Sequence, residues 1–125
     1  MSKRIIHTEN APKAIGPYSQ AVECNGMLFI SGQIPVSPAT GNIPEGIEAQ
    51  TEQVMKNIEA ILTVAGYTFS DVIKSTCLLS DIANFKAMNE VYAKYYTSEC
   101  PARAAFAVRD LPLGVLVEIE TIAAK

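Results

Sequence analysis

A chain of 125 residues is the size of one domain and long enough for a continuous core, and 49% hydrophobic against 18% charged residues excludes disorder. The net charge of −3, with ten dispersed Lys and Arg residues, offers no electrostatic footprint for nucleic acid or an anionic membrane. Met1-Ser2-Lys3-Arg4-Ile5-Ile6-His7 lacks the apolar core of a signal peptide and no apolar run is long enough to span a bilayer, so a cytoplasmic location is expected.

From the N-terminus, strands are expected over Ile5 to Thr8, Gln20 to Cys24 and Met27 to Gly32, the last two joined at Asn25-Gly26, residue types that accept the positive φ of a tight hairpin. Pro35, Pro38, Gly41 and Pro44 mark a loop. Between Gly46 and Gly66 the apolar residues Ile47, Val54, Met55, Ile58, Ile61, Leu62 and Ala65 keep the three-and-four spacing of a helix with one buried stripe, and Gly66 stops it. A strand follows over Val72 to Leu79. The second helix is expected to start at Asp81 as N-cap, to bury Phe85, Met88, Tyr92 and Tyr95 or Tyr96, and to end before Pro101. Strands over Ala102 to Val108 and Val115 to Ala123 complete a β-β-β-α-β-α-β-β order, an α+β fold in a single domain over residues 1–125. Two helices cover one face of about six strands, which leaves the other face to solvent or to a second subunit.

The charges of the last quarter call for an account, since a charge in strand-like sequence is costly to bury unless paired or used. Alternate strand residues face opposite ways, so Arg103, Ala105 and Ala107 share one face, and Ala104, Phe106 and Val108 the other. Val115, Val117, Ile119 and Thr121 share a face whose reverse carries Glu118 and Glu120. With the larger apolar residues of both strands against the helices, Arg103 and both glutamates are expected on the same far side. There Arg103 is either the ion-pair partner of a glutamate or a fork of donors for a small carboxylic acid. Cys24, Cys77 and Cys100 form no C-x-x-C pair and His7 is the only imidazole, so neither a disulfide framework nor a metal site is expected. No Gly-rich phosphate loop or Ser/His/Asp arrangement is present.

Three stretches stand in a telling order: Ala14-Ile15-Gly16-Pro17-Tyr18-Ser19-Gln20-Ala21, then Ile30-Ser31-Gly32-Gln33-Ile34-Pro35, then Pro101-Ala102-Arg103 with Leu111-Pro112 and Val117-Glu118-Ile119-Glu120-Thr121-Ile122-Ala123. In order and spacing, across essentially the whole chain, they resemble the RidA (YjgF) family of enamine/imine deaminases. The resemblance implies a chorismate mutase-like fold and a homotrimer with ligand clefts between subunits. It implies that Arg103 binds the substrate carboxylate and that Glu118 holds or activates the attacking water, with Glu120 an ion-pair or interface residue. Tyr18 would line and close the cleft, backbone at Ser31 and Gly32 would meet the ligand, and Asn89 would lie nearby. Ala105 stands where many members carry cysteine, which argues against a thiol-dependent activity and leaves a backbone contact there. The implied reaction is cofactor-free hydrolysis of 2-imino and 2-enamine acids, such as 2-iminopropanoate and 2-iminobutanoate released by pyridoxal phosphate enzymes, to 2-keto acids and ammonia. A non-catalytic sensor of keto acids is the alternative. An RNA-cleaving inhibitor of translation is a third reading, against which the acidic charge and the lack of a basic, aromatic-interleaved strip both argue.

Overall fold

The computed structural model describes residues 2–125. Strands β1 (Arg4–Ile6), β2 (Ala21–Cys24) and β3 (Met27–Gln33) precede helix α1 (Ile47–Ala65), then β4 (Val72–Leu79), helix α2 (Phe85–Tyr92), β5 (Ala102–Ala107) and β6 (Val117–Ala124). They form one mixed sheet in the order β1-β2-β3-β6-β4-β5. Neighbours are antiparallel except β4 and β5. The hairpin turns as its residues require, with Asn25 at φ 53° and Gly26 at φ 74°.

The topology explains why both helices lie on one face. Strand β6 is antiparallel to β3 and to β4, so those two run parallel to each other, as β4 and β5 do. Each helix therefore links two parallel strands, and both links step across the sheet in the same direction. Right-handed crossovers then put both on the same side. There α1 buries Val54, Met55, Ile58, Ile61 and Leu62 against Leu28, Ile30, Cys77, Leu79, Val117 and Ile119. Each fully buried aliphatic side chain contributes about 1.5–3 kcal/mol. The opposite face keeps Phe29, Ile73 and Phe106 roughly half exposed. No helix among the described residues is long and apolar enough to cross a membrane.

Element ends differ from the expected pattern where side chains take over backbone pairing. Strand β1 stops at Ile6 because the Thr8 N–H donates to the side-chain Oε1 of Gln20 at 2.7 Å, and Gln20 itself lies outside β2. Asp81 does cap, accepting from the Ala83 N–H at 2.9 Å, but it caps a 3-10 turn over Ile82–Asn84 that precedes α2. Helix α2 then ends at Tyr92, well short of Pro101. Outside it, Tyr95 and Tyr96 pack on the Phe69 ring at 5.2 and 5.4 Å between centroids. Strand β6 begins at Val117 rather than Val115, since a 3-10 turn occupies Pro112–Gly114 and the Leu116 N–H donates to Gln50 Oε1.

Strand β5 faces the opposite way from its expected orientation. Arg103, Ala105 and Ala107 stand in register with Ser75, Cys77 and Leu79, which are buried on the helix side. Ala104 and Phe106 stand beside Thr76 and Leu78, in line with Glu120 and Glu118 on the open face. Thus Arg103 and the two glutamates occupy opposite faces. The cause is steric: the Phe85 and Tyr92 rings of α2 overhang β5, so the helix side accepts alanines and a flat guanidinium, and Phe106 turns outward.

Candidate functional site

Arg103 lies exposed on the edge strand with no ion pair among the described residues, so neither Glu118 nor Glu120 is its partner. Neutral groups hold it. Its guanidinium carbon sits 4.9 Å from the centre of the Tyr92 ring and 5.5 Å from that of Phe85, and Nη1 donates to Asn89 Oδ1 at 2.7 Å. A cation stacked on ring faces and bonded to an amide keeps its charge and most of its donors for an incoming anion. The backbone adds to this. The Val108 N–H donates to Leu79 on β4, so by alternation the amides of Ala104 and Phe106 turn inward to β4. Those of Arg103 and Ala105 project off the open edge of the sheet. Arg103, Asn89 and the Ala105 amide therefore come together at one place.

The second group forms on the other side, around β3 and β6. The pairing slips between Ile30 and Gln33, where three steps along β3 match two along β6, a bulge that frees Ser31 and Gly32 from the ladder. Ser31 Oγ turns to donate to the Ser19 carbonyl at 2.6 Å. Gly32 lies under the Glu118 carboxyl so tightly that a Cβ placed there would be 3.0 Å from Glu118 Cδ and nearer still to its Oε2. The glycine's role is thus to admit the glutamate. Half burial pushes the Glu118 carboxyl above the usual carboxylate range, and Glu120 on the same strand adds repulsion in the same direction. A carboxyl raised in this way is suited to give and take a proton nearer neutrality. Glu120 is exposed and borders a hollow of about 280 Å3 with Lys74, Thr76 and Phe29.

Beyond Gly32 opens a cleft of about 660 Å3, walled by Tyr18, Gly32, Ile34, Val36, Pro112 and Leu113 among others. Its walls are loops pinned by buried amides that sequence reading did not single out. Gln20 Nε2 lies 2.9 to 3.3 Å from the carbonyls of Thr8, Ala11 and Pro12. From α1, Asn57 Nδ2 donates to the carbonyls of Ile34 and Val36, both at 3.1 Å. Gln50 reaches the Pro44 carbonyl and the Leu116 N–H. Gln50 and Asn57 inside the apolar stripe of α1 were the available signal, since buried amides are present to satisfy backbone that has no secondary-structure partner. Tyr18 is about half exposed at the cleft mouth, in a turn opened by Gly16 at φ 120°, with its Oη accepting from the Ile15 N–H at 3.4 Å.

The expected site residues therefore fall into two sets within one chain. Arg103, Asn89 and Ala105 lie at the β5 edge, whereas Tyr18 and Gly32 border the cleft, with Ser31 next to Gly32 and the Glu118 carboxyl against it. Cys77 is buried behind Ala105 and burial pushes its thiol up to about 11, which removes it from nucleophilic chemistry at neutral pH. Among the described residues no three His, Cys, Asp or Glu side chains converge as metal ligands would.

Residues 8–125 match the family model described as Endoribonuclease L-PSP. A RutC family protein of Pyrococcus horikoshii is 56% identical over 124 residues, covering 98% of both chains. The 2-iminobutanoate/2-iminopropanoate deaminase of Capra hircus is 50% identical over 122 residues, covering 97% of this chain and 89% of the relative. Among solved structures, that of E. coli TdcF with bound serine superposes with a TM-score of 0.94 at 42% identity, covering 98% of each chain.

Proposed function

Because the chain belongs to the endoribonuclease L-PSP family, also called YjgF/RidA, we propose that it hydrolyses 2-imino acids and their 2-enamine tautomers to 2-keto acids and ammonia. The observation that carries this reading is the Arg103 guanidinium, held by neutral groups with its charge left for a ligand carboxylate. The goat relative's name supports the substrate class, and the serine bound by the E. coli relative is a ligand of the same size and charge pattern.

In this mechanism Arg103 takes the carboxylate through paired hydrogen bonds, with the free Ala105 amide beside it. C2 of the protonated imine is already electrophilic. Glu118 takes a proton from water as the water oxygen bonds to C2, which gives a carbinolamine, and returns that proton to the nitrogen. The C–N bond then breaks, Glu118 takes the hydroxyl proton as that oxygen becomes the keto oxygen, and the departing ammonia carries the proton away as ammonium. Arg103 and Glu118 lie on opposite faces of one sheet, so the complete site joins Arg103 of one copy to Glu118 of another. A homotrimer with such intersubunit clefts covers both the exposed apolar face and the unpaired edge of β5.

The test uses enzymatically generated 2-iminobutanoate and reads ammonia release beside calorimetric binding of 2-ketobutyrate. Arg103→Lys keeps the charge and loses the planar fork, so binding and turnover both weaken. Glu118→Gln lowers turnover about 100-fold and leaves keto-acid binding in place. Full activity in either folded variant overturns the assignment. Keto-acid binding by a wild type that hydrolyses no imine supports the sensor reading instead. The family description carries the ribonuclease reading, which requires RNA cleavage by the same preparation.

A further inference from the structure

We propose that Tyr92, together with Phe85, is a positioning residue for Arg103: the two rings form a slot that fixes the plane of the guanidinium and presents its unbonded edge to a carboxylate. The proposal rests on the reading of Arg103 as the carboxylate-binding group. An exposed arginine on an edge strand, with no ion-pair partner, would otherwise sample many rotamers, and ordering it on ligand binding costs side-chain entropy. Here one helix supplies the restraint in advance. Phe85, Asn89 and Tyr92 are spaced four and three residues apart, so they form a single stripe of α2 above β5. The rings approach the guanidinium carbon at 5.5 and 4.9 Å, and Asn89 accepts from Nη1, which leaves Nε and Nη2 without a partner among the described residues. That pair of donors is the edge a carboxylate meets in a fork geometry.

Tyr92 is itself braced from behind. It is 5% exposed, and its ring lies 4.7 Å from that of Tyr96. The hydroxyls of both tyrosines face that of Ser75, and Ser75 pairs in register with Thr121 on one side and Arg103 on the other. All four buried hydroxyls lack a well-formed hydrogen bond. The Tyr92 hydroxyl thus faces Ser75, and the face of its ring is left to the guanidinium.

The contact is made by the ring and not by the hydroxyl, so removing the ring weakens binding and removing the hydroxyl does not. Tyr92→Leu should raise both the Kd for 2-ketobutyrate and the KM for 2-iminobutanoate about tenfold, with a smaller change in kcat, the magnitude of one stacked cation–ring contact. Tyr92→Phe should rescue binding. A readout independent of ligand is the 15N relaxation of the Arg103 Nε–Hε group, which should show restricted motion in the wild type and in Tyr92→Phe, and fast large-amplitude motion in Tyr92→Leu. Should Tyr92→Leu fail to fold, Phe85→Leu, at a half-buried position, provides the same comparison. A folded ring-less variant with unchanged Kd and an equally ordered Arg103 overturns the slot. If the wild type binds no keto acid while Arg103 remains ordered by the rings, the carboxylate reading of Arg103 fails and the slot stands.

Discussion

Gly32 has no room for a methyl group beside the Glu118 carboxyl, and that fact ties a small residue to the group proposed to act on water. Gly32→Ala would drive the Glu118 carboxyl off its place by an ångström or more, because the new Cβ would overlap Glu118 Oε2. Misplacement on that scale costs about 100-fold in rate. The variant should fold and bind 2-ketobutyrate, since Arg103 is untouched, while imine hydrolysis falls by about that factor; undiminished hydrolysis would show that Glu118 need not sit against Gly32. Glu118 also leaves a mark on stability. Its folded-state carboxyl titrates above the unfolded value because burial disfavours the charge. Its favourable contribution is therefore complete below the unfolded value, roughly 4.3, and disappears as pH rises through the raised one. Glu118→Gln should melt above the wild type at pH 8, with the two curves converging near pH 4, as thermal denaturation across that range will show. At this scale the motifs named the residues well, but alternation only divides a strand into two faces. Phe106 suggested the wrong one for Arg103, since the larger apolar side chain is on the open face of the sheet.

At the scale of elements, side-chain amides do the work of missing strands. The loop from Thr8 to Pro12 has its backbone satisfied by Gln20, which is 3% exposed and is bonded to that loop at both ends of its amide. Gln20→Ala leaves buried carbonyls without a donor, so chemical denaturation should report a loss of about 2–3 kcal/mol. Because the same loop carries one wall of the cleft, KM should rise in the folded fraction; a neutral effect on both quantities would mean that the loop is held by other contacts. Helix α1 was legible almost to the residue, since its apolar spacing is regular and glycines stand at both ends. Helix α2 was not. Its aromatic periodicity continues through Tyr95 and Tyr96, yet those rings reach the core from an irregular segment, and burial alone does not distinguish the two arrangements. The amide staples went unnoticed for a related reason: a polar residue in a helical stripe reads as an interruption until the loop it serves is seen.

For the molecule as a whole, the unresolved matter in the sequence was what covers the second face of the sheet. Phe29, Ile73 and Phe106 remain half exposed there, and β5 ends the sheet with free amides. A charge placed at Phe106 should therefore act on assembly before it acts on the fold. If the protein is the trimer proposed above, with its site shared between copies, Phe106→Glu should shift it to monomer in light scattering, and hydrolysis should fall in step. A monomer that keeps full turnover would refute a shared site. The separation of those two residues onto opposite faces could not be read from the chain, because it depends on the register between β4 and its two neighbours.

The place of β6 has a further consequence, for the way the protein is made. It is the last strand in sequence yet stands between β3 and β4, so every backbone bond joining the first three strands to the β4–β5 pair runs through Val117–Ala124. A ribosome delivering this chain releases both helices and five strands before the piece that unites them. Until it emerges, β3 and β4 present unpaired edges to each other and to any neighbouring polypeptide in extended form. The centre of the sheet is therefore complete only once the strand that carries Glu118 has taken its place.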